Sequence, residues 1–220
     1  MVETNHEVKI KICGLMRKED IESVNRWLPD YAGFVFCPGR RQVTFSQARE
    51  LRKSLEQRIK AVGVFVNESI EFIERLYNSG IIDLVQLHGD ESPGYAAELK
   101  NRIGCPIIKA VRVISTEQIL KHDKYPCDMI LLDTYIEGCY GGSGKTFEYS
   151  VIPRLKKRFF VAGGLNEGNI IQAIKQCAPY GVDISSGVEL NGVKNDDKIR
   201  KIINIVRSLD NRRKKDCRDH

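Results

Sequence analysis

The 220-residue chain has no apolar run near the roughly 20 residues that a membrane-spanning helix needs. It also lacks a leader with basic and apolar regions. MVETNHEVKI is acidic and polar and passes straight into a strand-like segment, so no secretory signal is expected. The seven cysteines form no CxxC pair and no group with metal-ligand spacing. That excludes a disulfide frame and a structural metal, and fits reduced thiols in a cytoplasmic protein. Strong charge of one sign is missing too. The net charge is +6, and the tail NRRKKDCRDH supplies half of it. The remainder is too small to argue for nucleic acid, so neither nucleic acid nor a membrane is an expected partner. No linker, low-complexity tract or repeat break marks a second domain. One core over residues 1–210 is expected, with 211–220 as a basic, frayed helix end.

What is present is one recurring unit: a short β-branched strand, a loop and an amphipathic helix. Strands are predicted over 8–14, 32–37, 61–67, 83–89, 106–113, 129–134, 159–165 and 182–188. Helices are predicted between them, over 17–28, 45–57, 69–80, 92–101, 166–178 and 196–209. In the first, Ile21, Val24 and Leu28 recur at helical spacing. Ser69, Ser92 and Asn166 are candidate N-caps, and Gly80 a helix stop. Strands alternating with helices imply a parallel sheet. Eight such units predict an α/β fold, a single eight-stranded (β/α)₈ TIM barrel. The rival doubly wound sheet places its glycine-rich turn early in the chain.

Here the glycine-rich turns come late: YGGSGKTF (140–147), VAGGLNEGN (161–169) and DISSGVE (183–189). Such turns expose backbone N–H groups that can cradle an anion. Gly142, Gly144, Gly163, Gly164, Ser185, Ser186 and Gly187 are therefore the candidate phosphate site. GGSGK lacks the GxxxxGK[ST] spacing, which excludes nucleotide hydrolysis by a P-loop.

Barrel enzymes work at the carboxyl ends of their strands. Cys13 ends the first strand-like run, and Asp133 ends the sixth. They are the candidate base and acid. Lys11 shares the Cys13 face, so a thiolate favoured by nearby cations is expected. Arg40 and Arg41 follow the second strand, where a guanidinium suits a substrate carboxylate. Gln86 and His88 share one face of the fourth strand, and Asp183 lies on the eighth. All are candidate pocket residues. Should Asp133 be structural instead, Lys11 or Lys109 would be its partner inside the barrel.

Taken together, KICGLMRKEDI, GFVFCPGRRQV, VGVFVNES, VQLHGDE, IKAVRV, LLDTYIEGCYGGSGKTFEY, AGGLNEGNI and VDISSGVELNGVKNDDKI resemble phosphoribosylanthranilate isomerase of tryptophan biosynthesis. The resemblance implies a (β/α)₈ barrel with no metal and no organic cofactor. It implies a small phosphoribosyl substrate and an Amadori rearrangement to 1-(2-carboxyphenylamino)-1-deoxyribulose 5-phosphate. It makes Cys13 the general base and Asp133 the general acid. It gives Arg41 the substrate carboxylate, with Arg40 the alternative in a shortened loop. Ribulose-phosphate epimerases, another class of phosphate-binding barrel, would need paired metal-ligating histidines and aspartates that are not evident. Indole-glycerol-phosphate synthases would need a longer amino-terminal extension. A non-catalytic phosphosugar-binding barrel would keep the glycine loops without Cys13 or Asp133.

Overall fold

The computed structural model describes residues 7–133 and 149–216. Eight parallel strands close into a barrel in chain order: β1 (Lys9–Cys13), β2 (Tyr31–Val35), β3 (Lys60–Phe65), β4 (Leu84–Leu87), β5 (Ile107–Arg112), β6 (Met129–Asp133), β7 (Arg158–Ala162) and β8 (Gly181–Ile184). β1 completes the ring against β8, with Lys9 opposite Gly181 and Lys11 opposite Asp183. All eight predicted strands are present, each shorter than its apolar run.

Helices α1 (Lys18–Trp27), α2 (Phe45–Ser54), α3 (Ile70–Asn78), α4 (Pro93–Ile103) and α5 (Thr116–His122) follow the first five strands. α6 (Ile170–Cys177) follows β7, and α7 (Asp196–Asp216) follows β8. Ser92 caps α4 by accepting from the Tyr95 N–H, with proline at the helix start. Ser69 occupies the N-cap of α3 without a side-chain cap bond. Gly80, just past α3, has a φ of 66°, the left-handed value that ends helices.

Four features differ from expectation. α5 was not foreseen, because its seven residues bury only Ile119 and give no amphipathic signal. Asn166 is not the cap of α6. That cap is Asn169, while Asn166 folds back to accept from the Gly168 N–H. A two-stranded ribbon, β9 (Glu189–Leu190) with β10 (Val193–Lys194), was also unforeseen. Finally, α7 stays helical to Asp216, six residues into the tail expected to fray. Gly142 and Gly144 lie outside the described residues.

Period-2 alternation in the strands sorts side chains between two cores. Ile10, Ile12, Val85, Ile107, Ile130, Leu132, Val161 and Val182 face the helices and belong to one outer cluster. Val62, Leu84, Ile108, Met129, Leu131 and Phe160 fill the barrel interior. The amino-terminal end is plugged by Phe160, whose ring meets Tyr31 and Tyr180 edge-on at centroid distances of 5.5 and 5.4 Å. Lys9, two residues before Lys11 on β1, lies at this end and pairs with Asp30 at 2.9 Å. Toward the carboxyl end the interior becomes polar, with Lys11, Gln86, Lys109 and Asp183 all buried. Buried charge is costly unless paired, so this ring marks the working end of the barrel.

Candidate active site

A cavity of about 420 Å³ opens at the carboxyl ends of the strands. It is lined by Cys13, Arg40, Arg41, Gln86, His88, Asp133, Gly163, Gly164, Asp183, Ser185 and Ser186. Candidates drawn from six strand ends thus converge on one hollow of small-ligand size. A neighbouring hollow of about 560 Å³ shares His88 and Asp133 but not Cys13 or the two arginines.

Cys13 sits directly across from Gly33 of β2. A Cβ at Gly33 would stand 2.6 Å from the Cys13 Sγ, so only glycine leaves room for the thiol there. Lys11 is fully buried below, with Nζ donating to Asp183 Oδ2 at 2.8 Å. A cation near the thiol was expected to give a ready thiolate. The balance runs the other way. Burial pushes the Cys13 thiol up, Lys11 pulls it down, and Asp183 pushes it up again. Asp183 therefore screens the charge that Lys11 would otherwise lend.

Neither Lys11 nor Lys109 is left for Asp133. Lys11 belongs to Asp183, and Lys109 donates to Glu91 Oε2 at 2.8 Å and to the Gly89 carbonyl. The alternative in which Asp133 pairs with Lys11 or Lys109 is thereby corrected. Asp133 instead has His88 Nε2 at 3.7 Å from its Oδ2. The other ring nitrogen of His88, Nδ1, meets Gln86 Nε2 at 2.9 Å. Gln86 thus fixes the ring that faces Asp133.

The arginine loop is more tightly built than its sequence suggests. Arg41 donates from Nε and Nη2 to the two oxygens of Glu189, at 2.7 and 3.0 Å. Arg40 adds Nη2 to Glu189 Oε2 at 2.7 Å. Lys194 donates to Glu189 Oε1 at 2.9 Å and to the Ser185 carbonyl at 2.9 Å. One buried carboxylate therefore organises three cations. Burial alone would raise the Glu189 carboxyl, but bonds from Arg41 and Lys194 hold it down at about 2. Burial lowers Lys194, the most enclosed of the three cations. The Nε/Nη2 fork of Arg41, expected to be open to a ligand carboxylate, is already engaged. Both arginines line the cavity, Arg40 more exposed (55%) than Arg41 (27%). Glu189 and Lys194 were missed by sequence reasoning.

The phosphate candidates sort by backbone and side chain. The hydroxyl of Ser185, a candidate for the phosphate site, donates to the Cys13 carbonyl at 3.1 Å. It ties β8 to the tip of β1 instead. Gly163 and Gly164 both have positive φ, 97° and 63°. Gly187 lies against the Leu165 backbone so closely that a Cβ would collide with its carbonyl. That contact brings the loops after β7 and β8 side by side, the arrangement a shared anion cradle needs.

The family model for N-(5'phosphoribosyl)anthranilate (PRA) isomerase matches residues 10–205. An N-(5'-phosphoribosyl)anthranilate isomerase from Endomicrobium trichonymphae is 48% identical over 201 residues, covering 91% of this chain and 99% of that protein. One from Lachnoclostridium phytofermentans is 45% identical, covering 89% and 96%. The crystal structure of the phosphoribosyl anthranilate isomerase from Thermotoga maritima superposes with a TM-score of 0.80 at 35% identity, over 91% of this chain and 99% of that one. A further isomerase structure, in complex with reduced 1-(o-carboxyphenylamino)-1-deoxyribulose 5-phosphate, has a TM-score of 0.77 at 31% identity, over 91% and 99%. The chain belongs to the N-(5'-phosphoribosyl)anthranilate isomerase family.

Proposed function

We propose that the barrel mouth converts N-(5-phosphoribosyl)anthranilate to 1-(2-carboxyphenylamino)-1-deoxyribulose 5-phosphate, with Cys13 as general base and Asp133 as general acid. Family membership makes the chain an isomerase of tryptophan biosynthesis. The observation that carries the residue roles is the cavity in which Cys13, Asp133, both arginines and the loops after β7 and β8 meet.

The chemistry follows from those positions. The Asp133 carboxyl, when protonated, delivers its proton to the ring oxygen of the aminofuranose. The C1–O bond breaks as the anilino nitrogen forms a Schiff base. That cation acidifies the neighbouring C2–H, and the Cys13 thiolate removes the proton. The resulting enolamine takes the proton from Cys13 at C1 and gives up its enol O–H proton, which restores the Asp133 carboxyl, and so becomes the ketone. No electron leaves the substrate and no water is added, so these side chains suffice for the proton transfers. Arg41, steadied by Glu189, faces the anthranilate carboxylate together with the more exposed Arg40. The backbone N–H groups at Gly163, Gly164, Ser186 and Gly187 hold the phosphate.

Titration with the reduced product analogue tests this reading. One molecule should bind per chain, and binding should collapse when the phosphate is omitted. Arg41→Lys keeps the charge but loses the planar fork that grips Glu189. It should weaken the analogue about tenfold or more, roughly the value of one charge-assisted hydrogen bond. A ligand without the ring carboxylate should be indifferent to the change. If Arg40→Lys shows that pattern and Arg41→Lys does not, the carboxylate belongs to Arg40.

Residues 211–220 carry none of the roles given above. Deleting them should leave kcat/KM unchanged at moderate salt, where exposed charges are screened beyond about 8–10 Å. A large loss would mean that the tail steers the anionic substrate or docks on the barrel.

A further inference from the structure

Among the described residues, two buried side-chain atoms have no hydrogen-bond partner: Asp183 Oδ1 and Gln86 Oε1. Both residues line the mouth cavity. Both are more than nine-tenths buried, Asp183 at 8% and Gln86 at 1% exposure. Neither is free to swing toward water. Lys11 pins the other Asp183 oxygen at 2.8 Å, and His88 pins the Gln86 amide nitrogen at 2.9 Å. A buried acceptor without a donor forfeits its hydration with nothing in return, so a folded protein rarely keeps two in one place without a use.

Their chemistry is the same and it is selective. A carboxylate oxygen and an amide carbonyl oxygen only accept. Each must be met by a ligand O–H or N–H, and each repels the ligand's anionic ends. The phosphate and the carboxylate of the proposed substrate carry no donor at neutral pH. Its donors are the sugar hydroxyls and the anilino N–H. Asp183 stands on β8 beside the Cys13 strand, and Gln86 stands on β4, two residues before the His88 that faces Asp133. The two acceptors thus flank the acid–base pair.

We infer that Asp183 and Gln86 form a polyol subsite that accepts hydrogen bonds from the sugar hydroxyls and so fixes which C–H faces Cys13. The inference deepens the functional reading above and rests on it. Lys11 acts here as a positioning residue: it turns Asp183 so that one oxygen is held and the other is presented. The pair also explains why the barrel keeps a lysine and an aspartate in a layer that aliphatic side chains would otherwise fill.

The test compares two ligands on three proteins. The ligands are the reduced product analogue and its counterpart lacking the sugar hydroxyl next to the reduced carbon. The proteins are the parent, Gln86→Met and Asp183→Asn. The parent should prefer the hydroxylated ligand by about tenfold or more, because the deoxy ligand leaves a buried acceptor unmet. In Gln86→Met or in Asp183→Asn that preference should shrink by about tenfold. Gln86→Met removes an unmet acceptor together with the amide that meets His88 Nδ1, so its Tm should stay near the parent's while its kcat/KM falls and its hydroxyl preference shrinks. That divergence separates a ligand-binding role from a structural one, and it stands even if Asp183→Asn fails to fold for want of a Lys11 partner. A parent that binds both ligands equally overturns the inference, as does a preference that survives in Gln86→Met and in any Asp183→Asn that folds. If the parent turns over phosphoribosylanthranilate normally yet shows no hydroxyl preference, this subsite fails while the functional reading stands. Absence of turnover in the parent would fail the reading itself.

Discussion

Cys13→Ala is expected to lose about 10²–10⁴-fold in kcat, the usual contribution of a positioned general base. Binding of the reduced product analogue should be nearly unchanged, because alanine removes one sulfur from the cavity wall and no ligand-holding group. Among the described residues one other thiol reaches the cavity. Cys37 lines the same cavity, but it follows β2 and has no Lys11–Asp183 pair beneath it. Cys37→Ala should therefore lose far less, and it is the control. The direction of the Cys13 shift adds a signature. Burial pushes this thiol up, so its thiolate population grows as pH rises through and beyond neutrality. The Cys13-dependent limb of the pH–rate profile should climb with pH. It should not be flat across the neutral range, as it would be for a thiolate stabilised by Lys11 alone. Near-normal turnover of Cys13→Ala would remove the base from the proposed mechanism.

Asp133→Asn should cost about 10²-fold or more in turnover, with product-analogue binding close to the parent's. The amide keeps the shape and a hydrogen-bonding capacity but has no proton to give to the ring oxygen. The structural alternative makes a separate forecast. If Asp133 were the counter-ion of a buried lysine, its loss would destabilise the fold by about 3–5 kcal/mol. Lys11 and Lys109 are paired with Asp183 and Glu91, so Asn strands neither. The melting temperature should stay near that of the parent. An active but much less stable Asn variant would make Asp133 a scaffold residue and leave the ring-opening acid to another group. His88, 3.7 Å from the carboxylate, is the next residue to vary in that event.

Much of the barrel was legible because strands write themselves in period 2. Ile10 and Ile12 alternate with Lys11 and Cys13, and the structure puts the first pair against the helices and the second inside. Strand-end position then picked out Cys13 and Asp133, and a shared strand face picked out Gln86 and His88; with Asp183 of the eighth strand, all five meet in the cavity. What failed was anything set by contacts distant in sequence. The Ser185 hydroxyl reads as a free donor until the Cys13 carbonyl, 172 residues away, is seen to take it. The Arg41 fork reads as open until Glu189, 148 residues away, is seen to fill it. The thiolate expectation erred in the same way. It counted Lys11 and could not count the burial or the Asp183 charge beside it.

One miss was avoidable. Glu189-Leu190-Asn191-Gly192-Val193-Lys194 carries Asn-Gly between two short β-prone segments, the strongest short-range hairpin signal. Asn191 and Gly192 adopt φ values of 51° and 82°, as a type I′ turn requires. A two-residue hairpin places Glu189 directly across from Lys194, which is the pairing observed. Reading that turn would have predicted the ion pair and, with it, the anchor of the arginine loop. α5 offered no comparable signal. A seven-residue helix with one buried side chain is held by its Ser115 cap and by packing on β5, neither of which shows as periodicity.

The most direct test of the account is an isomerase assay of the unmodified chain with freshly prepared N-(5-phosphoribosyl)anthranilate, following the appearance of the ketose product. The account predicts multiple turnovers by the purified chain without added metal or cofactor, and their loss in Cys13→Ala and in Asp133→Asn. A folded, analogue-binding parent that produces no ketose would contradict it.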